Sequence, residues 1–520
     1  MTSNGWDVIV VGAGSAGAAL AARSAEKGKR VLLLEAGPDY RSAEMHEAWR
    51  SPNPAVALMD PTAAAHVVWM GLNSSRTEKQ QQAPYWRGRG VGGSSSVNGQ
   101  IAIRPPMEDF EEWARLGCTG WSPDDVLPYF AKLEDDEDFG DQPYHGRGGP
   151  TPIYRMPQDQ WGGVDAGLSR AALAAGFEWA ADVNAPHATG VSPYPINSRH
   201  GRRVTVNDGY LETARDLGNL CIRGDALVDR VVFEGSRAVG VRVVVDGTAR
   251  TEYADTVVLS AGAIHSPAIL LRSGVGPAAD LRSLGVDVRA DLPVGRGLQD
   301  HPMAMVALPI TEEAAIKTPH DRHTNVCVRW TSGPDAPAHD LMFVSMNMSV
   351  LAMATAGTSA RSGAFGVWLN QACSRGVLTL TSTDPADQPL VHERMLSDER
   401  DLSRLRTGVR TLVELARSDA AASIIEGSIE RENEALFAVL DDDSELDDHL
   451  LATVADAQHG TSTCRMGDPG DADTVVDPSC RVLGLEGLRV IDASIFPSVT
   501  RANTNLTAIM VGELMADRLD

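Results

Sequence analysis

The sequence predicts an α/β chain of two domains, one discontinuous along the chain and the other, an α+β unit on an antiparallel sheet, inserted into it. Three observations carry that expectation. An apolar run at 8–11 leads into Gly12-Ala-Gly14-Ser15-Ala16-Gly17, then an Ala-rich helical stretch, then Val-Leu-Leu-Leu closed by Glu35. A strand–small-residue turn–helix layout returns near 253–273 and again near 488–518. Between them, residues 306–450 change texture to strand-like runs plus one amphipathic helix. At 520 residues the chain exceeds one compact core. The expected division is 1–157, 201–305 and 455–520 for the discontinuous domain, with 158–200 and 306–454 inserted.

The first unit reads as a Rossmann-like βαβ element. Gly12 permits the tight turn, Gly14 admits a pyrophosphate close to the backbone, and Gly17 lets helix pack on strand. Ser15 and Ala16 open the helix, whose unpaired N–H groups suit phosphate. Glu35, followed by Ala36, stands where a carboxylate would take both ribose hydroxyls of an adenosine and repel a 2′-phosphate. An ADP-containing dinucleotide other than NADP is the expected ligand.

Residues 38–80 read as irregular, with prolines at 38, 52, 54 and 61. The segment 87–99, with Gly92 and Asn98 inside it, is dense in glycine and serine, as backbone lying against a ligand would be. Residues 107–133 read as helical, burying Trp113, Leu116, Val126, Tyr129 and Phe130. The acids of 134–138 read as a solvated helix end or loop. Alternation at 219–232 and 238–245 predicts strands, with Asp246-Gly247 as a hairpin turn. A strand at 253–259 runs into small residues and a helix from about 267 to 273.

In the inserted region, strands are expected at 326–331, 341–349, 365–369 and 376–381, and a helix at 398–418. The acids of 441–448 suit the positive start of a last helix. Near the C-terminus a strand ends at Asp492, followed by Ala493, a polar turn and a helix over 507–518.

Composition excludes some functions. A formal charge of −24 argues against nucleic acid or an anionic membrane as partner. The acidity reads first as a solubility device and only second as suited to cationic substrates. No apolar run is long enough to span a bilayer, and a first strand starting by Trp6 leaves no room for a signal peptide. Six cysteines lack any C-x-x-C pair, the pattern of a reduced, cytoplasmic protein. The thirteen histidines show no ligand spacing, so no metal is expected.

Together the βαβ unit, the segments 88–98 and 260–274, Val294-Gly-Arg-Gly-Leu-Gln-Asp300-His301 and the block from His459 to Asn503 resemble the glucose–methanol–choline (GMC) oxidoreductases, over nearly the whole chain. Within that family the look is that of bacterial oxidases of small primary alcohols, the hydroxymethylfurfural oxidase and choline oxidase type. The resemblance implies FAD as the dinucleotide, with Val228, Asp492 and Ala493 also at the cofactor. Some relatives carry a histidine, bonded covalently to the flavin, where this chain has Val97; FAD is therefore expected to be non-covalent. His459 and Asn503 match the family's catalytic pair, 44 positions apart. A largely neutral imidazole takes the hydroxyl proton, and the amide orients the substrate oxygen. Asn505 is the rival to Asn503. His265 and His301 read as structural histidines. Gln458 replaces an aromatic residue of similar relatives, and Ala457 a valine of some oxidases.

The implied activity is oxidation of a primary alcohol to an aldehyde, and through its hydrate to the acid, with O2 as acceptor and hydrogen peroxide as product. The alternative is a dehydrogenase using a quinone or other carrier; GMC-fold lyases and a decarboxylase stand further off. Furanic, benzylic, amino-alcohol and sugar hydroxymethyl substrates stay open, as does the oligomeric state.

Overall fold

In the computed structural model, which describes residues 5–58, 60–348 and 361–519, two sheets dominate. The first contains five parallel strands in the spatial order Leu220–Arg223, β2 (Val31–Leu34), β1 (Trp6–Val11), Thr248–Leu259 and Leu488–Val490. β1 is central and β2 fully buried, which is why both read as continuous apolar runs. α1 (Ser15–Glu26) crosses between them, its alanines buried against the sheet and the C-terminal helix Thr504–Arg518. The long strand Thr248–Leu259 also serves an antiparallel meander with Ala226–Glu234 and Arg237–Val245, turned at Asp246-Gly247 as expected.

The second sheet is antiparallel throughout: Ala455–Asp456, Pro302–Pro309, Ser362–Leu369, Leu341–Met346, Val326–Trp330 and Gly190–Pro193. Helix Glu399–Arg417 covers it with Leu405, Val409, Leu412 and Ala416, a spacing of four, three and four. Asp398 caps its start by accepting from the Arg400 N–H. Residue 349, the end of one expected strand, lies outside the described residues.

Several expectations change. Residues 38–80 hold short helices, among them Pro61–Val67, which Asp60 caps through the N–H groups of Thr62 and Ala63. The helical span 107–133 is two helices, Glu108–Arg115 and Pro123–Leu133, and Leu116 and Tyr129 are only half-buried. The helix expected from 267 starts at Gly262. Pro267 cannot donate to the Ala263 carbonyl, and Thr463 Oγ1 does so instead at 2.7 Å. Strand Gly376–Thr379 pairs with Arg296–Leu298 and Leu390–His392 in a third, five-stranded sheet instead of the second one.

The acids of 134–138 are corrected most. Glu134 and Asp136 are fully buried. Glu134 pairs with Arg104, and Asp136 with Arg155 at 2.9 Å. His145 lies between them, 2.8 Å from Glu134 and 2.9 Å from Asp182. Two guanidiniums and an imidazole, Arg104, Arg155 and His145, make that burial tolerable. The same Glu134, Asp136 and His145 atoms are close enough for a metal, but two guanidiniums already supply the positive charge.

Candidate active site

One cavity of about 440 Å³ runs from the C-terminal ends of the parallel strands to the second sheet. Its nucleotide end is made mostly of backbone. Gly12 takes φ +101°, and a Cβ there would lie 2.5 Å from the Ser260 carbonyl oxygen. On Gly17 a Cβ would collide with the Gly12 carbonyl. Gly93 takes φ +51°, and its Cβ would lie 2.6 Å from Gly14 Cα, so the two glycine loops touch only because both are bare. The first turn of α1 has no acidic residue and no side-chain cap, which leaves its N–H groups to a ligand.

Gly12, Gly14, Ser15, Ala16, Glu35, Ala36, Asn98, Val228, Asp492 and Ala493 all line this cavity, as does Val97. Two expected contacts do not. Gly17 lies under the helix, where its lack of a side chain is the packing device. Gly92 turns away; its N–H donates to the Ala13 carbonyl and its α-carbon faces Ser96, so neighbouring Gly93 takes the cavity position. Glu35 has a further task. Its two oxygens accept from the N–H groups of Ala13, Gly37 and Gly90, each at 2.9 Å, tying both glycine loops to β2. Burial raises its pKa, and those three N–H groups oppose the rise.

The other end is made of side chains. His459 and Asn503 each keep 9% of their surface exposed, and both face the cavity. Asn503 Nδ2 stands 3.0 Å from His459 Nε2. Tyr194 donates its hydroxyl to Asn503 Oδ1 at 2.9 Å, which orients the amide with its NH2 towards the imidazole. Asn505 is used elsewhere, accepting from Ser15 Oγ and donating to Asn197.

His301 sits behind His459, their Nδ1 atoms 2.9 Å apart. Its Nε2 stands 2.9 Å from the Thr500 carbonyl, a group that only accepts. His301 therefore carries its proton on Nε2, its Nδ1 accepts from His459 Nδ1–H, and His459 Nε2 is left unprotonated, its lone pair accepting from Asn503 Nδ2–H. His301 thus fixes the tautomer of His459, a role its reading as a structural histidine did not include. Burial lowers the pKa of both rings, that of His459 well below the ordinary imidazole value, with His301 and the Arg87 guanidinium adding to the effect.

Asp300 holds the two histidines by backbone: its Oδ1 accepts from His301 N–H at 2.7 Å and His459 N–H at 2.8 Å, and its Oδ2 from the Tyr85 hydroxyl at 2.7 Å. Arg87 stacks on Tyr85 and donates to Gln458 Oε1 at 2.8 Å. Trp368 presents its ring edge-on to His459, centroids 5.5 Å apart. His265 also lines the cavity, stacked on Trp69 and held by Gln388.

The chain matches the N-terminal GMC oxidoreductase domain over residues 6–303 and the C-terminal one over 372–512. It belongs to the GMC oxidoreductase family. This GMC oxidoreductase is 35% identical to 5-(hydroxymethyl)furfural oxidase of Methylovorus sp. strain MP688, covering 100% of this chain and 99% of that one. It is 34% identical to human mitochondrial choline dehydrogenase over 98% of this chain and 89% of the other. The structure of pyridoxine 4-oxidase from Mesorbium loti superposes with a TM-score of 0.88 at 28% identity, covering 99% of each chain. GMC oxidoreductases bind FAD, and the cradle fits it: bare glycines for a pyrophosphate, open helix N–H groups, and a cavity leading on to a neutral imidazole. Among the described residues no helix is long and apolar enough to cross a membrane.

Proposed function

We propose that this enzyme oxidises a primary alcohol to an aldehyde with O2 as acceptor, hydrogen peroxide being the second product. The reading rests on one observation: the unprotonated His459 Nε2, hydrogen-bonded to the Asn503 amide, at the far end of a dinucleotide cavity. Asn503 has a second N–H for the substrate oxygen, which orients the hydroxyl on His459. His459 Nε2 takes the hydroxyl proton as the C–H bond breaks, and the resulting imidazolium stabilises charge developing on the oxygen. Bound FAD supplies the hydride acceptor. Val97 offers no nucleophile, so the FAD is held without a covalent bond. An aldehyde hydrate presents the same hydroxyl to the same base, so a second oxidation to the acid follows from the first.

Relatives named as dehydrogenases support a second reading, with a quinone or other carrier as acceptor. Six unpaired cysteines suit a reducing, cytoplasmic setting. The partners are a small alcohol and O2 or that carrier. The test is anaerobic addition of primary alcohols followed by air. Bleaching of the flavin that air reverses within about a second, a typical turnover time, is the expected result. Bleaching without fast recovery favours the dehydrogenase, and none with any alcohol overturns both.

A further inference from the structure

A protein of charge −24 looks suited to cationic substrates, but its catalytic end is built otherwise. The only carboxylates lining the cavity among the described residues are Glu35 and Asp492. Both stand at strand ends on the nucleotide side, and both are engaged: Glu35 by three backbone N–H groups, Asp492 by Gly262, Ser266 and Ser494. Residues 349–360 hold no Asp or Glu in sequence, so they add no carboxylate.

The acids behind His459 do not face the cavity and have no charge to spare. Asp300 has Arg87 at 3.8 Å, and Asp456 has Arg76 at 2.6 Å. Burial raises Glu393 well above the usual carboxyl range, with Asp456 and Asp300 adding to it. Two buried arginines add positive charge from below. Arg203 donates to the carbonyls of Trp49 and Ser95 and to Asn98 Oδ1, and Arg322 to the carbonyls of Pro52 and Gly99. No ion pair engages either one among the described residues. Burial lowers each to about 9, still charged at neutral pH, and burial also holds the cavity-lining His323 well below the ordinary imidazole value, with Arg322 and Arg203 adding to the effect. Ile101, Val344, Met346 and Trp368 give this end apolar wall, and its other polar lining groups, Thr324, Ser345 and Gln458, carry no charge.

We propose that the catalytic end selects uncharged alcohols with an apolar, preferably unsaturated body, and rejects alcohols that carry an ammonium group. An ammonium moved there loses its hydration and meets no counter-charge. A planar ring gains the Trp368 indole and the Met346 thioether. The inference rests on the alcohol-oxidation reading.

Charge is isolated by matched pairs: 3,3-dimethylbutan-1-ol against choline, and 4-ethylbenzyl alcohol against 4-(aminomethyl)benzyl alcohol. In anaerobic flavin reduction by the holoenzyme, the neutral member is expected to exceed the cation in apparent second-order rate by roughly a hundredfold or more. Placing a carboxylate in the wall, Met346→Glu, is expected to narrow that ratio at least tenfold. Equal rates within the pairs, or an unchanged ratio in flavin-replete Met346→Glu enzyme, overturn the selection while leaving alcohol oxidation intact. No bleaching by any of the four alcohols overturns the parent reading, and the selection with it.

Discussion

The two ends of the cavity are built by different means. At the nucleotide end, bare glycines of two loops bring backbone to the cavity, and one carboxylate, Glu35, ties the loops together. At the catalytic end, side chains from five distant stretches meet: Tyr85 and Arg87, Tyr194, Asp300 and His301, Gln458 and His459, and Asn503. Backbone contacts have no slack, whereas side-chain contacts can be removed one at a time. Damage at the first end should therefore appear as lost cofactor, and damage at the second as lost rate with the cofactor retained.

The largest effect is expected from Gly93→Ala. Its Cβ would lie 2.6 Å from Gly14 Cα in a left-handed conformation, so neither loop can yield cheaply. The purified protein should carry almost no flavin by its absorbance ratio; full flavin occupancy would break the comparison. His459→Ala should keep its flavin and slow anaerobic flavin reduction by about 10²–10⁴-fold. Tyr194→Phe loses one hydrogen bond, and with it the fixed orientation of Asn503. A net cost of about 1 kcal/mol predicts roughly a five- to tenfold slower reduction with flavin content unchanged.

A substitution remote from both ends sharpens the contrast. Asp182, Glu134 and their neighbours raise the pKa of His145. The stability it contributes is complete below the unfolded-state value near 6.5 and is lost as pH rises through the folded value. His145→Gln should lower thermal stability most at acidic pH and least above neutrality, with rate and flavin content unmoved. Equal destabilisation at all pH values would show that the ring acts through packing instead of charge.

What the sequence made legible follows the same division. The nucleotide motif is local: glycine spacing, strand, helix and acid lie within thirty-odd residues, and the fold places them as the pattern requires. Gly93 and not Gly92 lines the cavity because adjacent glycines on a turn face opposite ways, which composition does not encode. At the other end, His459 and Asn503 were legible only through family resemblance. Tyr194 lies 309 positions from Asn503, and His301 lies 158 from His459. No local pattern announces that such pairs meet, or that His301 sets a tautomer. Glu134 and Asp136 misled for a related reason, since their burial depends on Arg104, Arg155 and His145, and a charge run alone reads as solvent-facing. The helix start at Gly262 was hidden because Pro267 looks like a first-turn residue until Thr463 is seen to replace its missing bond.

The central claim is that His459 stands neutral, Nε2 unprotonated, before the alcohol arrives. The pH dependence of anaerobic flavin reduction by an accepted neutral alcohol, measured at subsaturating concentration, tests it most directly. Because burial, His301 and Arg87 lower the pKa of this ring well below the ordinary imidazole value, the neutral form persists into acid. The rate should stay level from alkaline pH down past about 6.5, the unperturbed imidazole value, and fall only below it. A rate that instead climbs through pH 7 to 9 would mean a base with an ordinary or raised pKa, and would contradict the account.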